Sequence, residues 1–191
     1  MREFVYFSSK AATTGNFDDL MKAGRMDIAI HFLINALFLS HDIRKDTKVH
    51  LIFYGQPNPP RHLEFVYKEG IPLSKKDVAG LIKRMLYKYR EGQKTEVFPG
   101  CFIEKKSFSD VLEKIAEEKT VYVLEEGGED VAGIKLEENA AYVIGDHEGF
   151  PQKELKRLKK NYTTISLGKT VYFASHVVTI LNYLLDRKVQ S

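Results

Sequence analysis

Apolar residues along the chain change their spacing often, and each change marks an element. Residues 2–8 carry the unbroken run Phe4, Val5, Tyr6 and Phe7, which predicts a short buried strand. The next stretch, SSKAATTGNFDD (8–19), is rich in loop formers. Residues 26–39 then place Ile28, Phe32, Leu33, Ala36, Leu37 and Leu39 at helical spacing, apolar over much of the circumference, as in a largely buried helix. VHLIFYG (49–55) predicts a strand stopped by QPNPP, whose three prolines lack N–H donors, and HLEFVYK (62–68) predicts another. Ser74 and Asp77 have capping-box spacing ahead of Val78, Leu81, Ile82, Met85, Leu86 and Tyr89, which predicts a helix near 75–90. YREGQKTE (89–96) ends that helix and separates the two halves of the chain.

The second half alternates short strands with helices. Residues 100–103 form a weak strand, 108–118 a short helix, TVYVLEE (120–126) a strong strand and AYVIG (141–145) another. A basic helix over 151–160, the strand TTISLG (163–168) and an apolar helix over 172–186 complete the series. Strands of four to seven residues between helices predict an α/β fold with a mostly parallel sheet covered on both faces. Without internal repeat, low-complexity tract or linker, one domain over residues 1–191 is expected.

Composition narrows this picture. Of 191 residues 43% are hydrophobic and 29% charged, and twelve Phe with ten Tyr supply far more buriable surface than a disordered chain carries. Charged residues interrupt each apolar stretch well before the roughly 20 residues that span a bilayer. The opening MREFVYF lacks a signal-peptide cleavage pattern. The single cysteine, Cys101, permits no internal disulfide, so a cytoplasmic setting is expected. A net charge of +3 is compatible with nucleic acid but equally with a solvated surface of mixed sign.

Candidate chemistry gathers in three glycine-containing loops at strand ends, where parallel α/β sheets bind ligands. They are Glu125–Asp130, Gly145–Gly149 and Gly168–Thr170. None has the G-x-G-x-x-G or G-x-x-x-x-G-K-[ST] pattern, so a dinucleotide or triphosphate site is poorly supported, and plain turn glycines explain them as well. Among the six histidines, His50 and His62 fall in strand patterns and read as structural. His147, between Asp146 and Glu148, is weak evidence for a metal, no His/Asp/Glu pattern marks a metal site, and none is expected. No nucleophile elbow is present, and Cys101 has no evident base. Gly24-Arg25-Met26-Asp27 opens the buried helix and Ser40-His41-Asp42-Ile43-Arg44-Lys45-Asp46 closes it. Two readings of that pair of segments stay open. One is a helix with Asp27 complementing its dipole and a charged exit loop. The other is an arginine and a carboxylate placed to contact a substrate.

These residues resemble a known family, the archaeal tRNA pseudouridine N1-methyltransferases of the TrmY type, in the knotted SPOUT class. The resemblance rests on MREFV, GRMDI (24–28), ALFLSHDIRKD (36–46), LIFYGQPNPP (51–60), GED (128–130), VIGDHEG (143–149), ISL (165–167) and ASHVVTI (174–180), in family order over nearly the whole chain. It implies a SPOUT-like fold with a C-terminal trefoil knot, against the usual avoidance of knots. It implies a homodimer and S-adenosyl-L-methionine as methyl donor, with Leu124, Gly145, Ile165, Ser166, Leu167, Gly168, Lys169, Thr170 and Val177 at the cofactor positions. Val177 stands where the family often has Cys, and Gly168–Phe173 differs in composition. The implied reaction is methylation of N1 of pseudouridine at position 54 in the tRNA T-loop. Asp27 and Arg25 are the implied catalytic pair, and His41, Asp42, Arg44 and Lys45 the implied substrate contacts. Neither a membrane nor DNA is an expected partner. Alternatives are another SPOUT enzyme acting on ribosomal RNA or a ribose hydroxyl, and a non-catalytic RNA-binding knot protein.

Overall fold

The computed structural model describes residues 1–188. Eight strands form one sheet in the order β4-β5-β3-β2-β1-β7-β6-β8. The strands are β1 (Arg2–Ser8), β2 (Thr47–Phe53), β3 (Arg61–Val66), β4 (Thr95–Phe98), β5 (Cys101–Glu104), β6 (Thr120–Asp130), β7 (Ala140–Gly145) and β8 (Thr163–Ser166). The helices are α1 (Met26–Leu37), α2 (Val78–Tyr87), α3 (Phe108–Ala116), α4 (Gln152–Asn161) and α5 (Ala174–Lys188). β2, β1, β7, β6 and β8 run parallel, while β3, β5 and β4 add antiparallel strands at one edge. The sheet is therefore mixed, with its parallel part in the majority.

Strand alternation sorts the core into two layers. Phe4, Tyr6, Val49, Leu51 and Phe53 face one side, with α1, α2 and α5. Val5, Phe7, Ile52, Val121, Val123 and Val143 face the other, beneath α3 and α4. α1 is buried almost all round because α5 lies against it. Asn182 on α5 donates to the carbonyls of Asn35 and Ala36, and Asn35 donates to the carbonyl of Ser175. The buried Arg2 guanidinium ties β1 to Asn182 and Asp186, so the last helix is locked to the first strand. Among the described residues, no helix is long and apolar enough to cross a membrane.

Several boundaries differ from the sequence expectation. Helix α2 starts at Val78 and has no capping box: the Asp77 carboxylate accepts from Arg84 at 2.8 Å instead of capping the helix. β4 lies partly inside the charged segment read as a separator. β6 continues to Asp130, because Glu129 and Asp130 return to pair with Ile165 and Ser166 after a register shift. That return needs Gly128, where a Cβ would lie 2.6 Å from the Ile165 backbone. α5 begins at Ala174, which leaves Val171, Tyr172 and Phe173 exposed ahead of it.

Candidate active site

The parallel strands end at a common edge, and their exits enclose a cavity of about 570 Å³. Register aligns these exits. Phe7 on β1 pairs with Gly145 on β7, and Leu124 on β6 pairs with Ile165 on β8. Of the positions implied for the cofactor, Leu124, Gly145, Ser166, Leu167, Gly168, Thr170 and Val177 line the cavity. Ile165 is fully buried and Lys169 is exposed, and neither is part of the lining. Ile28, Leu155 and Phe173 add apolar wall, and Glu125, Glu126 and Asp146 add carboxylates.

The 145–149 loop is held from within. Ser8 donates to Asp146 at 2.7 Å, and Asp146 accepts the Glu148 N–H at 2.9 Å. The Gly149 N–H closes the turn on the Asp146 carbonyl at 3.0 Å. A Cβ on Gly145 would lie 2.8 Å from the Gly149 backbone, so glycine is required by the loop itself. Lys10 pairs with Glu148 across the mouth of the same loop.

Arg25 and Asp27 come together at the start of α1. Gly24 and Arg25 both take left-handed backbone, with φ of 70° and 61°. A Cβ on Gly24 would collide with the Lys10 carbonyl, so this turn presses directly on the segment that follows β1. The turn aims Arg25 forward along the helix, where its Nε and Nη2 donate to the two Asp27 oxygens at 3.0 and 2.9 Å. That fork holds the Asp27 carboxyl below its ordinary range, outweighing its partial burial. Asp27 is therefore an anion near neutral pH. The next residue, Ile28, lines the cavity, so the pair adjoins it. Beneath lies Tyr6, fully buried, its hydroxyl pushed far above the ordinary value by burial and then by the Asp146 charge.

The other implied set lies elsewhere. His41, Asp42, Arg44 and Lys45 follow the far end of α1, about 18 Å of helix away from Arg25. Arg44 is committed internally: its guanidinium donates to both Asp186 oxygens, at 2.9 and 2.5 Å. Asp42 caps the tight turn by accepting the Ile43 N–H at 2.7 Å, and Lys45 lies over the Tyr67 ring. His41 is exposed. Within one chain this set is not gathered with Arg25 and Asp27. Cys101 is buried, which pushes its thiol up to about 12.

His50 and His62, which the sequence marks as structural, belong to a second polar cluster on the sheet face away from α1. His50 on β2 and His62 on β3 stack with ring nitrogens 2.8 Å apart, both buried. His50 reaches Glu3 at 2.9 Å and His62 reaches Glu104 at 3.0 Å. Burial lowers His62 to about 4. For Glu3, burial acts upward but is outweighed by His50, Lys48 and Lys119, which hold it at about 2. Residues 12 apart in sequence gave no spacing signal; the β2–β3 register brings them together.

Known proteins resemble this chain over nearly its whole length. A family model described as putative SAM-dependent RNA methyltransferase matches residues 1–190. The tRNA (pseudouridine(54)-N(1))-methyltransferase of Thermococcus kodakarensis is 35% identical, covering 97% of this chain and 99% of its own. The chain belongs to this methyltransferase family. The enzyme of the same name from Methanocaldococcus jannaschii is also 35% identical, over 98% of both chains. Among solved structures, Archaeoglobus fulgidus Nep1 bound to S-adenosylhomocysteine superposes with a TM-score of 0.61 at 17% identity, covering 92% of this chain and 76% of that one. That likeness shows the fold, which is SPOUT-like: a mixed, mostly parallel sheet flanked by helices.

Proposed function

We propose that this protein transfers a methyl group from S-adenosyl-L-methionine to N1 of pseudouridine 54 in the T-loop of tRNA. The observation that carries the reading is the cavity at the parallel strand ends, in a chain that is 35% identical to enzymes of that name over nearly its full length. Its volume falls within the roughly 300–1,000 Å³ of small-molecule sites. Its make-up suits an amphipathic cofactor. Leu124, Leu167 and Val177 give an apolar slot for a base, backbone at Gly168 stands open for close approach, and Glu126 offers a carboxylate to a cation beside Glu125, which Lys159 already holds at 2.9 Å. When bound, S-adenosylmethionine supplies an electrophilic methyl group. Ile165 supports this wall from behind, and Lys169 faces solvent at its rim.

The protein's own part is alignment in a water-poor site. Asp27, ionised by Arg25, accepts the N1–H of pseudouridine and orients that edge toward the cavity; as N1 gains its methyl, the displaced proton leaves through this hydrogen bond. Arg25 keeps Nη1 free of Asp27, and this donor faces charge developing on a base carbonyl. RNA is held by phosphate contacts from α4, which starts beside the cavity and exposes Lys153, Lys156, Lys159 and Lys160.

The chain works as one domain and as a homodimer in the cytoplasm. Its single sheet supports the first, and the exposed Val171, Phe173 and Tyr183 beside or on α5 support the second. In such a pair the distant His41, Asp42, Arg44 and Lys45 serve substrate binding at the partner's cavity, Arg44 keeping its bridge to Asp186 while the exposed His41 and Lys45 make the reach. We place the trefoil knot where residues 167–173 carry the chain from edge strand β8 back to α1. The reaction is tested by methyl transfer to tRNA carrying pseudouridine or uridine at position 54. Uridine has carbon at the corresponding ring position, so activity only on the pseudouridine form is expected, and equal activity on both overturns the assignment.

A further inference from the structure

The buried histidine pair poses a proton-counting problem. Three contacts run in a chain across four strands: Glu3 Oε2 to His50 Nε2 at 2.9 Å, His50 Nδ1 to His62 Nε2 at 2.8 Å, and His62 Nδ1 to Glu104 Oε1 at 3.0 Å. Ionised carboxylates only accept, so both outer ring nitrogens carry hydrogen. Two neutral imidazoles have one N–H each. The two inner nitrogens, 2.8 Å apart, then face each other with bare lone pairs. An electropositive centre between them relieves that clash. It is either a third proton, shared by the pair, or a metal ion.

Three features favour the metal. A third donor converges on the same point: Glu64, the direct cross-strand partner of His50, holds Oε2 3.9 Å from His50 Nδ1. His50, His62 and Glu64 form, among the described residues, the one group of three or more such donors whose ligand atoms lie within 4.8 Å of one another. Both imidazoles also have the carboxylate partner on their outer nitrogen that orients metal-binding histidines and raises their basicity. Zinc–nitrogen distances of about 2.0–2.1 Å in a tetrahedral site put neighbouring donors roughly 3.4 Å apart. The His50–His62 spacing is shorter than that, the His50–Glu64 spacing of 3.9 Å is longer, and the His62–Glu64 pair lies within 4.8 Å, so closing the site takes a swing of the Glu64 carboxylate toward both rings. Lys94, partly exposed, donates to Glu64 Oε1 at 2.9 Å.

We propose that His50 Nδ1, His62 Nε2 and the Glu64 carboxylate bind a divalent transition metal of the zinc type, with water in the fourth position. The site lies on the sheet face opposite α1, away from the cavity, and its role is to clamp the antiparallel strands to β1 and β2. It does not rest on the methyltransferase reading.

Untagged protein stripped with chelator and titrated with Co2+ tests it directly. One equivalent should bind with the visible absorption of a tetrahedral ion, and Zn2+ should displace it. Glu64→Gln, which keeps the size of the side chain and an oxygen for Lys94, should weaken Co2+ binding by at least about 10-fold, the least that loss of an outer partner costs. His62→Asn should abolish it. Because that variant removes a buried group and endangers folding, 15N spectra of the wild type provide a second readout. Zn2+ should shift His50 Nδ1 and His62 Nε2 while the outer nitrogens keep their protons. No binding at about 100 µM Co2+, or equal binding by wild type and Glu64→Gln, overturns the proposal. An N–H proton retained between the rings under saturating Zn2+ also overturns it, and identifies the pair as a shared-proton cation.

Discussion

The two halves of the sheet gather polar groups in opposite ways. In the parallel half, strands all finish at one edge, so backbone exits and glycine loops collect there: Gly145, Gly168 and the Leu124–Glu129 break in β6 surround one cavity. In the antiparallel half no edge is shared by strand ends. There the cross-strand register collects side chains on a face: His62 and Glu64 on β3 and Glu104 on β5 meet His50 and Glu3 on the adjoining β2 and β1, with Glu3 and both histidines buried and Glu64 and Glu104 half-buried. The first arrangement suits a ligand that needs open backbone. The second suits side-chain donors converging on a point. Chemistry on a nucleobase is thus assigned to the parallel half alone, and the following variants probe that division.

The largest effect is expected at the parallel edge. Gly145→Val forces a side chain onto the Gly149 backbone and collapses the 145–149 loop. Cofactor affinity should fall at least about 100-fold by calorimetry, equivalent to roughly 3 kcal/mol. Next comes the Arg25–Asp27 fork. Asp27→Asn should lower kcat about 10–100-fold while the cofactor Kd moves less than about twofold, because only the orientation and proton of the base are affected. An unchanged kcat removes Asp27 from the reaction.

The tie between β1 and α5 should cost stability rather than chemistry. Arg2→Ala strips a buried guanidinium from Asp186 and Asn182 and should destabilise by about 3 kcal/mol in denaturant melts. Its pH signature has a definite sign. Burial acts upward on Asp186, but Arg44 and Arg2 outweigh it and hold its pKa below the ordinary 3.8. The group therefore stabilises the fold fully above about pH 4 and progressively less as pH falls below that value. Asp186→Asn should flatten this acid limb of stability. The smallest change is expected on α4, where Lys153→Ala with Lys156→Ala should raise KM for tRNA a few-fold and lessen its salt dependence, leaving kcat intact.

Much of the parallel half was legible in the sequence because its signals are local. Unbroken apolar runs mark β1, β2, β6 and β7, and glycine loops mark their exits. The family motifs then supplied candidate positions, seven of which line the cavity. The antiparallel half was read less well. The first two residues of β4, Thr95 and Glu96, sit in a charged stretch, and Asp77 gives its carboxylate to Arg84 rather than to a cap. The bridge from Arg44 to Asp186 spans 142 residues and cannot be foreseen from local pattern. The same holds for His50 and His62, whose meeting depends on strand register.

If the cavity between the parallel strand ends binds S-adenosylmethionine, calorimetric titration of the wild-type chain with that cofactor will register it. One site per chain with a Kd in the micromolar range is expected, about −8 kcal/mol. Absence of binding at about 1 mM ligand, where even an interaction of roughly −4 kcal/mol registers, would contradict it.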